Sequence, residues 1–244
     1  MSLPVSGAAA TAAELARRVL YRDRLVVVFD KPAGLPCHAG PSGGPSVEDI
    51  LPALTADESG PPLALAHRLD TDTAGCLVLG RGAKGVRRLG RLFAEGRVEK
   101  VYWAVARGRP AGEAGRIDLP LAKVAGPRGW KIVADRRAGR PAVTDWRLLG
   151  TGEGRDGPLC WLDCRPRSGR THQIRVHLQV SGCPILGDPF YGTPAERAGD
   201  GPGLHLLARA VTLPFDDGRP PIHVEAPVPK SLRAALAACG WTGT

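Results

Sequence analysis

No apolar run in this 244-residue sequence approaches the roughly 20 residues of a membrane-spanning helix, so no helical anchor is expected. A basic amphipathic helix and a lipidation motif are also missing, which leaves the membrane surface behind as a partner. The six cysteines, at 37, 76, 160, 164, 183 and 239, form no C-x-x-C, and with the histidines they match no metal-ligand spacing. Met1–Ala13 lacks the positive start and apolar stretch of a secretory signal, so reduced, buried thiols in a cytoplasm are expected. Lysine is scarce, at 6 against 27 arginines. A GC-rich codon bias accounts for that ratio, although arginine's planar fork also suits phosphate. There is no internal repeat and no linker long enough to divide a core. One catalytic domain over residues 21–244 is therefore expected, after a poorly ordered extension over 1–20.

What is present is positive charge and short apolar segments. Lys+Arg is 33 and Asp+Glu 24, a formal net charge of +9 that favours a polyanion, nucleic acid ahead of membrane. Leu25–Phe29 (LVVVF) reads as a buried strand, and Cys76–Leu79 and Val98–Ala106 as further strands. Val86–Phe93 has apolar residues at helical spacing with arginines opposite. Short helices are also expected over 12–20, 47–54 and Ser231–Cys239. Ile117–Leu121, Trp130–Val133, Ala142–Leu149 and Leu159–Cys164 alternate with Gly/Pro turns and without long helices, which points to antiparallel pairing. Thr171–Val180 reads as a helix with Thr171 as N-cap and Gly182 as stop. Leu204–Leu213 and Ile222–Ala226 are late strands. The fold class is α+β.

Two polar stretches stand out. In His67-Arg68-Leu69-Asp70-Thr71-Asp72-Thr73-Ala74-Gly75, six of nine side chains are ionisable or hydroxylic, directly before an apolar strand. Catalytic groups are often displayed on such a loop, although a solvated turn has the same composition. Ser168-Gly169-Arg170-Thr171-His172-Gln173-Ile174-Arg175-Val176-His177-Leu178 puts Arg170 at a helix N-terminus, a place suited to a carboxylate or a phosphate.

HRLDTDTAG resembles the H-R-L-D-x-x-T-S/A-G signature of RluA-type pseudouridine synthases, and GRTHQIRVHL their G-R-T-H-Q-I-R-x-H block. Lys100-Val101-Tyr102-Trp103-Ala104 is similar to the K-x-Y-x-A strand, DKPAGLPCHAG to the N/D-K-P-x-G segment, and ILGDPFYG to the I-x-G-D-x-x-Y-G turn. The five blocks fall in family order. Two departures are mild: Ala74 stands where Ser is commoner, and no S4-type RNA-binding domain is expected ahead of the first block.

The resemblance implies a mixed, mainly antiparallel sheet with a central catalytic cleft flanked by helices. It also implies isomerisation of uridine in ribosomal or transfer RNA by a monomer with no metal and no nucleotide cofactor. Asp70 would be the catalytic carboxylate, adding to the base, trapping C1′ or taking the C2′ proton; all three routes need it ionised. Arg170 would pair with it, Tyr102 would lie against the uracil, and Arg68 would fill the stack vacated by the flipped base. Lys31, His67, Thr73, Lys100, His172 and Arg175 are the further residues expected to bind the RNA.

Competing patterns are weaker. Gly80-Arg81-Gly82-Ala83-Lys84-Gly85 fits G-x-G-x-x-G with Glu99 downstream, but Arg107 stands where a dinucleotide site needs its ribose-binding acid. His172 and His177 are five apart and cannot chelate one ion from a helix or a strand. Asp70 with Asp72 would suit a glycosidase, which leaves the other blocks unexplained. The tryptophans read as packing before base stacking. A silent RNA-binding or folding factor on the same scaffold is the alternative function; retention of Asp70, Tyr102 and Arg170 favours the enzyme.

Overall fold

A computed structural model describes residues 14–15, 17–40, 43–55, 60–126, 129–215, 218 and 220–243. The chain divides into two compact units: residues 1–100 with 208–227, and residues 101–207 with 228–244. Two of the three divisions, at 100/101 and 207/208, fall inside strands rather than in linkers, which is why no linker marks them in the sequence.

In the first unit the strands are β1 (Val19–Arg22), β2 (Val26–Lys31), β3 (Leu63–Leu65), β4 (Ala74–Arg81) and most of β11 (Leu206–Leu213), with β12 (Ile222–Glu225). They lie in the order β1-β2-β4-β11, with β3 on β4 and β12 on β11. The helices are α1 (Val47–Ile50), followed by a 3₁₀ turn at Ala53–Thr55, and α2 (Gly82–Ala94). Of the helix expected over 12–20, residues 12, 13 and 16 lie outside the described residues, and Glu14 and Leu15 are helical. Its end is corrected, because Val19 and Leu20 are extended in β1. There the Asp30 amide donates to the Arg18 carbonyl at 2.8 Å, and Arg18 pairs with the Asp30 carboxylate at 2.8 Å.

β2 and β4 are buried on both faces, as continuous Val/Leu runs require. α2 lays Gly85, Leu89 and Leu92 inward and leaves Arg87 and Arg91 in solvent. Glycines where β4 meets α2 have a packing cause: a Cβ on Gly80 of β4 would lie 2.6 Å from the Val86 amide, and one on Gly85 would run into the Leu25 carbonyl. Gly85→Ala should therefore lower stability by about 1–3 kcal/mol, a drop of about 2–12 °C in a thermal melt. An unchanged melt would show that strand and helix separate at no cost.

The second unit holds β5 (Glu99–Arg107, from Val101), β10 (Gly157–Pro166), β9 (Val143–Gly154) and β6 (Ala114–Asp118) in that order, beside the start of β11. A separate hairpin is formed by β7 (Leu121–Gly126) and β8 (Gly129–Ala134). Every ladder whose register is described is antiparallel. The helices are α3 (Gln173–Val180), α4 (Pro194–Ala198) and α5 (Lys230–Ala238). One core gathers Ala104, Cys160, Leu162, Cys164, Ile174 and Leu178, so α3 packs on the face of β5 and β10 that also carries Tyr102. Among the described residues no helix is long and apolar enough to cross a membrane.

Candidate active site

The loop from His67 to Thr73 joins β3 to β4 and is held at four places. Thr73 donates its amide to the Asp70 carbonyl at 3.1 Å, closing a four-residue turn. Leu69 is buried, and its amide and carbonyl both meet the Cys37 thiol at 3.4 Å. His67 accepts the Val78 amide on Nε2 at 2.9 Å and stacks on Phe93 with centroids 4.4 Å apart. Burial and the Lys100 ammonium push its pKa down to about 3, so it is a neutral prop. Lys31 is fully buried, and its ammonium donates to the carbonyls of Pro32, Leu35 and Thr71 at 2.8–2.9 Å. Arg68 is left exposed and Asp70 half-buried.

Lys31 is therefore corrected from an RNA contact to a positioning residue, since all three ammonium protons end on carbonyls inside the fold. Thr73 is corrected likewise, because only 2% of it is exposed. Burial lowers the Lys31 pKa to about 8, against the pull of nearby acidic groups that include Asp72, Asp70 and Asp30. Lys100 is half-buried at the start of β5, and burial lowers its pKa as well.

In the second unit Tyr102 is half-buried on β5 against the core. Arg170 is exposed; its amide donates to Gln173 Oε1 at 3.1 Å and its Nε to the Pro141 carbonyl at 3.2 Å. The helix begins later than its sequence suggests. Thr171 is not the N-cap: His172 takes that place in the left-handed conformation, with φ 51° and ψ 22°. That uncommon backbone is fixed by tertiary contacts, since His172 is buried with Nδ1 2.8 Å from the Tyr191 hydroxyl and its ring beside Trp130 and Phe190. His172 thus packs inward instead of facing RNA.

Arg175 is also corrected. It is 2% exposed and grips the fully buried Asp188 with two parallel bonds of 2.8 and 2.7 Å. Burial would raise the Asp188 pKa, but the guanidinium and the amides of Phe190 and Tyr191 outweigh it and hold the carboxyl below its ordinary value. Sequence reasoning missed Asp188, although an acid in the ILGDPFYG turn was the available signal. It also missed Gln173, whose buried amide accepts from the Ser168 hydroxyl and the Arg170 amide and donates to the Val143 carbonyl and Thr144. His177 continues that chain, with Nδ1 2.9 Å from Thr144 Oγ1 and Nε2 3.0 Å from the Leu119 carbonyl. Among the described residues no cluster of three or more His, Cys, Asp or Glu could hold a metal.

The RNA pseudouridylate synthase family model matches residues 25–180, the stretch that contains both the Asp70 turn and the Arg170–Arg175 segment. The chain belongs to that family. An uncharacterized RNA pseudouridine synthase of Zymomonas mobilis is 43% identical to this synthase over 220 residues, covering 89% of this chain and 96% of the relative. Ribosomal large subunit pseudouridine synthase C of Salmonella typhi is 33% identical over 92% of this chain and 70% of its own. The structure of human RNA pseudouridylate synthase domain containing 4 superposes with a TM-score of 0.75 at 29% identity, covering 93% of this chain and 94% of that one. The synthase is thus an isomerase that acts on RNA.

The Lys31 bridge should make its rate pH-dependent. Three carbonyls need three N–H donors, which only the ammonium supplies. The single-turnover rate should fall as the pH rises through about 8, when one carbonyl loses its donor and the turn loosens. Lys31→Met should lower it at every pH, on the order of 10²-fold, through misplacement of the loop. A wild-type rate that stays flat well above that pH would show that the bridge does not set the loop.

Proposed function

We propose that the synthase converts specific uridines of ribosomal or transfer RNA to pseudouridine, with Asp70 as the catalytic carboxylate, and that it works as a monomer in the cytoplasm. The observation that carries this reading is the immobilised turn: Lys31, Cys37 and His67 fix the main chain around Asp70 while the Asp70 side chain stays half-exposed. A ribosomal large-subunit relative favours ribosomal RNA as the first substrate to try. The bond change is a net isomerisation, so neither metal nor nucleotide is added. Tyr102 lies against the extruded uracil, Arg68 enters the vacated stack, and Arg170 serves as the partner of the Asp70 carboxylate during turnover.

The test is chemical mapping of pseudouridine in ribosomal and transfer RNA from cells lacking the protein, before and after incubation with the purified synthase. New pseudouridine at discrete positions is expected; none in either RNA would refute the reading and leave a silent RNA-binding factor. Arg170→Ala should cost at least about tenfold in single-turnover rate at saturating RNA, and Arg170→Lys should recover only part. If Arg170→Ala weakened binding but left the saturated rate intact, Arg170 would be a phosphate clamp.

A further inference from the structure

Strand alternation puts Trp103, Asp163 and Arg165 on the face of the second unit's sheet opposite Tyr102. The register builds two rows of charge there. Asp163 is directly opposite Arg147, and in the next row Arg165, Asp145 and Arg116 follow one another across β10, β9 and β6. Arg167 joins from the end of β10. Arg116 and Arg167 each place Nε 2.6 Å from the Asp145 carboxylate, Arg165 places Nε 2.9 Å from Asp163, and Arg147 reaches Asp163 only at 4.0 Å.

Four arginines around two aspartates leave two positive charges in excess. The carboxylates form the floor, with side chains 22% and 7% exposed, whereas the arginines are 52% to 65% exposed. Hydrogen bonds from Arg116 and Arg167 hold the Asp145 pKa down to about 2, so that carboxylate stays ionised. Between the two rows lies a hollow of about 310 Å³ lined by Asp145, Trp146, Arg147, Asp163 and Arg165. Exposed ion pairs contribute little to stability, so fold stability alone does not account for a cationic surplus held in fixed orientation.

We propose that this face is a second phosphate-binding surface, which grips an arm of the RNA away from the uridine being isomerised. The proposal rests on the synthase's RNA substrate. The occupant is an RNA backbone rather than a single anion, because Arg165 and Arg116 stand two strand spacings apart, about 10 Å. One phosphate group does not bridge that span, whereas successive phosphates do. Guanidinium forks suit such contacts, and an arm bound here passes the β6 edge without competing for the Tyr102 face.

The test compares poly(U) binding by the full-length wild type and by Arg147→Gln/Arg165→Gln across a salt series, with thermal melts to check folding. Loss of two phosphate contacts should make the slope of log K against log salt shallower by about 1.4 and weaken low-salt binding roughly tenfold. The saturated single-turnover rate should not change. Arg147→Lys/Arg165→Lys keeps the charge and should keep the wild-type slope. An unchanged slope in the glutamine pair overturns the proposal; so does a lysine pair that loses as much slope as the glutamine pair, since the arginines would then act through the fold. If the wild type forms no pseudouridine in any RNA, the functional reading fails instead, and the poly(U) slopes still report on this surface.

Discussion

Asp70→Asn should lower the single-turnover rate of pseudouridine formation by at least about 10³-fold, a barrier increase of about 4 kcal/mol. The three routes open to the carboxylate all use its negative oxygen, which a neutral amide does not supply. The fold should hardly notice. The turn bond from Thr73 ends on the Asp70 main-chain carbonyl, and the Lys31 and Cys37 clamps end on the carbonyls of Thr71 and Leu69. RNA affinity should therefore stay within about threefold of wild type, under about 1 kcal/mol. Rate and affinity must be measured separately, because a misfolded variant loses both. Turnover within about tenfold of wild type would remove Asp70 from the chemistry.

Arg175→Ala should be the most destabilising single change, costing about 3–5 kcal/mol because it strands the buried Asp188 carboxylate. For a chain of this size that is a fall of about 6–20 °C in melting temperature. Arg175→Lys should recover little, since one ammonium cannot match both carboxylate oxygens. Replacing both partners, as in Arg175→Met/Asp188→Leu, should cost far less than either single change, because no charge is left behind. The pair also fixes a pH window. Asp188 is held below its ordinary value near 3.8, so its stabilisation is complete above that value and is lost as the pH falls through the lower folded one. An Arg175→Ala protein melting within about 2 °C of wild type, under about 1 kcal/mol, would mean that the carboxylate finds another cation or protonates freely.

Periodicity carried the elements whose own run of apolar residues marks the buried face. The apolar stripe of α2 and the runs of β2, β4 and β10 lie where their patterns put them, within a few residues. The α3 N-terminus failed because Thr171 has the chemistry of a cap, while the left-handed turn is imposed one residue later by Tyr191, far along the chain. Arg175 misled for a related reason. Every residue of α3 from Gln173 to Leu178 is buried, so the helix has no polar side to show that its arginine points inward. By contrast, α4 was readable and overlooked: Thr193-Pro194-Ala195-Glu196 is a capping box with proline at the first turn, and both reciprocal bonds form. In the candidate site the chemical groups were visible as motifs. Their supports were not, since a lysine held by three carbonyls or a cysteine under a loop leaves no mark beyond its own letter.

The interleaving of the two units has a consequence during synthesis. The first unit needs residues 208–227 to complete it, and the second needs 228–244 to place α5 over β9. Neither is a contiguous stretch of chain, so the first unit cannot be completed before residue 227 is made, nor the second before α5 is made. At about 5–20 residues per second, β4 waits roughly 6–25 s for its neighbour β11, which begins about 125 residues later. Truncation before Ala208 should leave an insoluble product rather than a working half. The protein's dependence on chaperones should track that waiting time: slowing translation after residue 207 should lower the soluble yield more than slowing it before residue 100.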